Sequence, residues 1–489
     1  FRIYPYTNSG SNIFYNTAAT LPQVQITSAG QFSLQDGISF PSLTSSASAW
    51  GDYDNDGNLD LIVTGDSSSV PITRIFKGNG IGGFTSQYQI KMQGVENSSV
   101  AWGDYNNDGY LDVILTGSTT SAWPQTKFSR IYKNNKNGTF TEQTQIEIFP
   151  INNGSAVWGD FDNDGDLDIL LTGGDVAKIY RNNGDNSFTD LIALIGVTYG
   201  AATWGDYDND GFLDVIYSGI GSEGNRTTKL YRSNGDNTFS LQTNTGLPDF
   251  LGPIALGDYN NDGLLDLFLG NYDGSKIFKN MGNNSFTEQA SLVAAQEGGS
   301  ASWVDYDNDG FLDIFVTSYQ SGYGNYYAKL YRNTDGNTFS EVTPQSWPNN
   351  GNIVWADFDN DNRLDFLMSG YIASFNGLYH NNIKTFNTTP PAPSNLSVSK
   401  QVRTGAFKWA YPKLAKPAKF NLRVGTSSGS SNIVTAQSLA NGTRLLYNNS
   451  TLLRDTSFTL NPLKVGNYFW SVQAIDANGT ASSFAPEET

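Results

Sequence analysis

The chain has 489 residues, no cysteine and a formal net charge of −18. That length calls for two or more domains or one large repeat architecture, and the missing cysteine excludes disulfides, thiol catalysis and thiolate metal sites. With 13% aromatic residues, 51 glycines and 16% charged residues, the composition favours strands and tight turns over long helices.

The first residues, FRIYPYTNSG, have neither an initiator Met nor a charged-then-apolar lead, so the chain reads as a processed one and secretion is the expectation. No apolar run approaches the roughly 20 residues of a spanning helix, so neither a membrane crossing nor a hydrophobic anchor is expected. Within residues 1–45, NIFYNTAATL and GQFSLQ look like the third and fourth strands of the repeat that follows. The simpler expectation is that this segment closes a ring by pairing with the last repeat. The alternative is that FRIYPY is a spare strand that adds to a neighbouring molecule's sheet and makes head-to-tail polymers.

Over residues 46–388 one segment recurs seven times at a spacing of about 50 residues, the range of propellers and solenoids. The first copy reads WGDYDNDGNLDLIVTG from Trp50 and the last WADFDNDNRLDFLMSG from Trp355. Some 20 to 25 residues after each comes a second piece, such as RIFKGNGIGGF or KLYRSNGDNTF, shortened to GLYHNNIKTF in the last repeat. Periodicity predicts a strand ending at the Trp, an acidic turn, an apolar strand, a third strand, an Asn/Gly turn and a fourth strand beginning at Phe. Four strands per repeat make one blade, and seven blades close into a ring without exposed sheet edges.

The acidic turn carries the strongest chemical signal. In the first repeat Asp52, Asp54, Asp56 and Asp60 stand at positions one, three, five and nine, with Gly57 at six. Alternate side chains across a tight turn converge on one point, and hard carboxylate oxygens suit calcium, with the carbonyl of Asn58 at position seven completing the shell. Position twelve is Val63 rather than a Glu, and strands flank the turn, so this is not an EF-hand.

The pattern between strands resembles the FG-GAP/VCBS repeat family of integrin α-subunit propellers and bacterial surface proteins. The resemblance covers roughly residues 38–386 and implies a calcium-loaded seven-bladed β-propeller. Carried over repeat by repeat, it implies ligands at Asp104, Asn106, Asp108 and Asp112 with the Tyr110 carbonyl, and at Asp160, Asp162, Asp164 and Asp168 with that of Asp166. The fourth and fifth sets are Asp206, Asp208, Asp210 and Asp214 with Phe212, and Asp258, Asn260, Asp262 and Asp266 with Leu264. The sixth and seventh are Asp305, Asp307, Asp309 and Asp313 with Phe311, and Asp357, Asp359, Asp361 and Asp365 with Arg363. Up to seven structural Ca2+ ions are thus expected. The seventh set should be the weakest, because Asn362 replaces Gly and Arg363 follows it.

From about residue 389 the repeat stops, and Pro390, Pro391 and Pro393 form an extended linker. NLSVS, GAFKWAYP, FNLRVGT, TSFTLNP and GNYFWSVQAID then read as strands of a small sandwich with Trp409 and Trp470 in its core. This region resembles the fibronectin-type-III-like modules that follow such propellers in secreted bacterial proteins, which implies a spacer or assembly module.

Enzyme signatures are scarce, and no catalytic residue is assigned. His380 falls where other repeats carry Lys or Arg, and the GTSSG of Gly425–Gly429 reads as a turn with no helix after it. The cation–apolar–aromatic–cation piece, as at Lys229–Arg232, forms either basic stripes for polyanions or, more simply, exposed long side chains lying along strands. Tyr319, Tyr323, Tyr326, Tyr327 and Trp123 lie in long connections, where they could stack on sugars or pack on a neighbouring domain. Sequons at Asn97, Asn137, Asn153, Asn225, Asn441 and Asn478 matter if the host glycosylates. The expectation is a non-enzymatic extracellular scaffold or adhesion protein with a protein or glycan partner and no nucleic acid, given the acidic surface. A lectin is the alternative, and a polysaccharide-active enzyme the more remote one.

Overall fold

The computed structural model describes residues 6–9, 12–15, 31–35, 37–38, 40–270, 274–292, 299–320, 325–342, 351–370, 376–385, 387–401, 403–412, 418–446 and 452–489. Every regular element among them is a β-strand.

The seven repeats build antiparallel units of four strands. Five are separate four-stranded sheets, and two are joined into one seven-stranded sheet, because strand Phe188–Gly205 serves as fourth strand of the third repeat and first strand of the fourth. In the first repeat Thr44–Gly51 pairs with Asp60–Asp66, which pairs with Pro71–Gly78, which pairs with Phe84–Ser86. The second strand is apolar on both sides because both sides are covered. Leu61, Ile62 and Val63 are fully buried, Leu61 and Val63 packing with Trp50, Phe358 and Leu367, and Ile62 with Tyr53, Trp102 and Val113.

First strands of successive repeats touch around a ring, and Gly351–Ala356 returns to Thr44–Gly51. Five of the seven ring steps have a hydrogen bond from a Trp, among them Trp102 Nε1 to the Ala49 carbonyl at 3.2 Å and Trp50 Nε1, which closes the circle on Val354 at 3.2 Å; the fifth repeat has Leu256 instead, and Trp355 Nε1 has no such partner. The Gly after Trp50, Trp102, Trp158, Trp204 and Leu256 permits the close approach of the next repeat's Trp or Leu; a Cβ on Gly159 would lie 2.6 Å from Trp204 Cδ1. The architecture is a β-propeller.

The last repeat lacks a fourth strand of its own, and Phe32–Leu34 supplies it by pairing with Asn376–Asn381. Phe32 is buried against Tyr306 and Phe366. The NIFY piece does not join a blade. Asn12–Tyr15 pairs with Tyr6–Ser9 in a two-stranded hairpin. Most of the FRIYPY strand, residues 1–5, lies outside the described residues.

The C-terminal unit has two antiparallel sheets, one of Ser394–Gln401, Thr404–Ala410 and Ser457–Leu460, the other of Ala418–Gly425 and Phe469–Asp476. They share a core of Phe407, Trp409, Phe420, Leu422 and Trp470. Gly425–Gly429 ends a strand in an exposed turn.

Candidate metal centres

All seven acidic turns have one backbone design. The position-one carboxylate accepts from the amides of positions five and six: Asp52 Oδ1 from Asp56 at 3.0 Å, Oδ2 from Gly57 at 2.8 Å. The position-five carboxylate accepts from the amide at position seven, as Asp56 does from Asn58 at 2.9 Å. The position-nine carboxylate is fully buried and ties the turn to the third strand; Asp60 accepts from Tyr53 at 3.1 Å and Gly78 at 2.9 Å. Gly57 has φ +90°, where a Cβ would be strained, and in the seventh turn Asn362 takes the equivalent place at φ 63°.

The predicted ligands at positions one, three, five and nine therefore come together. Asp52, Asp54 and Asp56 place ligand atoms within 4.8 Å of one another, as do Asp160, Asp162 and Asp168, Asp206, Asp208 and Asp210, and Asp305, Asp307 and Asp313. In the second and fifth turns Asn106 and Asn260 instead donate to Asp112 and Asp266 at 3.0 and 2.7 Å. In the seventh, the group within 4.8 Å is Asp359, Asp361 and His380, so His380 belongs to the turn and is not merely in register with the strand cations. Hydrogen bonding to Asp365, against the effect of burial, raises its pKa.

The donor set fits a hard cation. At position three, Oδ1 of Asp54, Asn106, Asp162 and Asp359 is buried with no hydrogen-bond partner, and so is Oδ2 of Asp365. The Asp162 side chain is only 10% exposed. Orphaned buried oxygens are costly, and a divalent ion would satisfy them. Burial pushes Asp52 up to about 6 and Asp60, Asp214 and Asp266 up to about 8, so these carboxylates hold their protons harder than free ones do.

The second cation of the third-strand piece is not an exposed strand flank. Lys77 reaches both Asp54 and Asp56, and Arg181 forks onto Asp162 at 2.5 Å and Asp164 at 2.8 Å. Arg232 does the same on Asp208 and Asp210, and Arg332 on Asp307 and Asp309. Lys133 approaches Asp108 at 3.7 Å and Lys279 Asp262 at 3.1 Å. The first cation pairs along the sheet instead, as in Arg130 with Glu142 and Lys276 with Glu288. The physical reason is charge: an acidic turn next to a strand end draws in the nearest flexible ammonium or guanidinium.

Two asparagines absent from the sequence reading wire the turns together. The position-four Asn lies in the left-handed region at φ 54–63°, and in the first five turns it donates to the position-six carbonyl of the next, as Asn55 does to Gly109 and Asn163 to Gly211, both at 2.8 Å, while Asn308 and Asn360 donate to the Thr385 and Gly80 carbonyls. The buried Asn ending the third strand donates to the preceding turn and to its own: Asn182 bonds Tyr105 at 2.7 Å and Leu167 at 3.1 Å. Their signal was the Asn repeated at the same place in successive copies.

The C-terminal unit docks on this face. Asp52 N donates to Leu445 O at 2.9 Å, Thr435 bonds Asn107, Asn478 bonds Asn308, and Arg454 reaches Gly263 O at 3.3 Å and Asp258 at 3.5 Å. A cavity of about 790 Å³ lies between the units, with Lys419 and Arg454 on one wall and turns two to four on the other. Trp123 lies at the opposite ends of the strands, 90% exposed. Tyr323 and the side chains of Tyr319, Tyr326 and Tyr327 lie outside the described residues.

The sequence pattern of the FG-GAP-like repeat matches residues 52–115, 123–171, 160–217, 206–269, 258–316 and 305–368. The chain belongs to the FG-GAP-like repeat family. Five of the six FG-GAP-like segments begin on a position-one Asp, so the repeat unit runs from one acidic turn into the second strand of the next repeat. No curated protein matches the sequence. Among solved structures, a lectin from Agrocybe aegerita described as recognising non-reducing terminal N-acetylglucosamine is similar at 19% identity, covering 61% of this chain and 82% of its own, with a TM-score of 0.42. BBS1N, solved in complex with ARL6DN, is similar at 12% identity over 73% of this chain and 99% of its own, TM-score 0.45. The Aleuria aurantia lectin is similar at 12% identity over 63% and 99%, TM-score 0.37. Nothing about this chain's ligand follows from likenesses at these values.

Proposed function

We propose that the chain is a non-enzymatic extracellular scaffold, a seven-bladed propeller stiffened by up to seven calcium ions, serving in adhesion or as the protomer of a surface filament. The observation that carries this reading is the buried, unpartnered oxygen at position three of the first, second, third and seventh acidic turns. Calcium would supply the positive charge and the multiple oxygen coordination that such turns require, and extracellular levels on the order of millimolar suit even weak sites. The candidate ligands are repeated structural parts, those at positions one, five and nine holding backbone amides of their own turn, which supports a scaffold over a catalyst. The C-terminal unit, a fibronectin-type-III-like spacer in this reading, covers the turn face and leaves the opposite face for partners.

Electron microscopy of the full-length chain at high concentration with calcium tests the assembly part. Filaments are the expected result, and a monomer persisting under those conditions overturns it.

A second reading, carbohydrate binding, is favoured by the opposite face. There the exposed Trp123 stands two residues from Gln125, which donates to the buried Glu96 at 3.2 Å and accepts from Asn152 at 2.7 Å. An open ring beside fixed hydrogen-bonding groups is how sugars are held. Trp123→Ala should abolish any signal on a glycan array while leaving the melting temperature unchanged; a signal retained by the variant rejects this site.

A further inference from the structure

In the first six repeats the cation at the end of the third strand takes Oδ2 atoms of its turn, and in the seventh His380 stands in its place. Lys77 holds Oδ2 of Asp54 and Asp56, while Asp54 Oδ1 stays buried without a partner and Asp56 Oδ1 takes the Asn58 amide. Arg181 likewise holds Oδ2 of Asp162 and leaves its Oδ1 unpartnered. The cation thus occupies the Oδ2 side of the carboxylates; the Oδ1 at position three is left without a partner in the first and third turns and takes only a long bond of 3.3 Å from the position-five amide in the fourth and sixth, so that side is left for a different positive charge. Its type follows the charge it meets. Repeats three, four and six have Asp at positions three and five and carry Arg, whose fork spans both; repeats two and five have Asn at position three and carry Lys, which meets one carboxylate. Repeat one has two Asp and a Lys that reaches both.

We propose that this third-strand cation is an internal counter-ion that shares the turn with calcium and holds the affinity of each turn down. The inference rests on the calcium reading above. Without metal, the carboxylates at positions three and five repel each other, and the ammonium or guanidinium relieves that repulsion. With calcium bound, the carboxylates are already neutralised, and the same side chain repels the ion across the width of a carboxylate. A group that stabilises the empty state more than the filled one weakens binding by the difference. The counter-ion therefore keeps the propeller folded before calcium arrives and makes loading reversible.

The alternatives have opposite signatures. If the side chain acts only through its aliphatic stem, its removal lowers stability equally with and without calcium and leaves affinity unchanged. If it only pre-shapes the turn, its removal weakens binding.

The test is Arg232→Met in the full-length chain, crystallised over a series of buffered free calcium levels, with the ion in each turn quantified by anomalous scattering. The other six turns serve as internal references. The expected result is that the fourth turn half-fills at about tenfold lower free calcium than in the wild type, while the variant melts lower in chelator and the difference narrows at saturating calcium. Arg232→Lys should restore most of the wild-type behaviour. Unchanged or weaker filling of the fourth turn overturns the counter-ion role while the reference turns still fill; absence of an ion from every wild-type turn overturns the calcium reading itself. Should Arg232→Met not fold without calcium, Lys133→Met, which loses contact with a single carboxylate, is measured in the same way and is expected to shift the second turn in the same direction.

Discussion

Stripping divalent ions from the protein with a chelator is expected to lower its melting temperature by about 10 °C or more. A ligand at 100 times its Kd stabilises the native state by about 2.7 kcal/mol per site. Two filled turns already match a large share of the few to fifteen kcal/mol that holds a typical domain. The loss should be steeply pH-dependent, and its sign follows from the carboxylates. Burial raises Asp60, Asp214 and Asp266 to about 8 and Asp52 to about 6, from an ordinary 3.8. A group that binds its proton more tightly folded than unfolded stabilises the fold below its unfolded pKa, and that stability is lost as pH rises through the folded pKa. The metal-free protein should thus become less stable between about pH 4 and pH 8. Calcium requires the ionised carboxylates, so the gain in melting temperature on adding it should be larger at pH 8 than at pH 5. Calorimetry with and without chelator at the two pH values checks both statements, and melting curves that coincide at pH 8 would remove metal from the account of stability.

The fold and the turns were legible in the sequence to the extent that their causes are local. Positions one to nine of an acidic turn lie within one bend of the chain, so the spacing of Asp52, Asp54, Asp56 and Asp60 was enough to predict their convergence. The apolar run from Leu61 to Val63 likewise announced a strand. Contacts made across strands left no comparable trace. Lys77 is 23 residues from Asp54 in the chain, Asn134 is 81 from Tyr53, and Arg454 is 196 from Asp258. The cation in the third strand was visible as a repeated letter. Its partner was not, because a flexible side chain at a strand end can turn along the sheet or over the turn, and charge decides between them only after the strands are paired. The docking of the C-terminal unit was invisible for a further reason: Leu445, Thr435 and Asn478 are ordinary residues that bond backbone or amide groups, without any pattern of their own.

Asn182→Ala is expected to be the most damaging single substitution outside the apolar core, at about 2–4 kcal/mol. Asn182 is 1% exposed and its Nδ2 donates to the carbonyls of Tyr105 and Leu167, in two adjacent repeats. Removing the amide leaves both carbonyls unpaired where water cannot replace it. The backbone N–H of residue 182, which donates to Asp168 at 2.8 Å, survives the change. The damage should therefore fall on the joint between the second and third repeats, leaving the third turn itself in place. Gly78 and Ser233 hold the same position in the first and fourth repeats without such an amide, so the propeller tolerates the missing link at two of its joints. A third lost link should open the second-to-third joint locally before the whole ring unfolds. Hydrogen exchange resolves this: the expected result is faster exchange in Glu96–Gly103 and Ser155–Gly159, with the strands of the fifth and sixth repeats unchanged. A uniform rise across the ring, or a loss of stability no larger than that of an exposed Asn→Ala change, would show that the turns are not joined through this side chain.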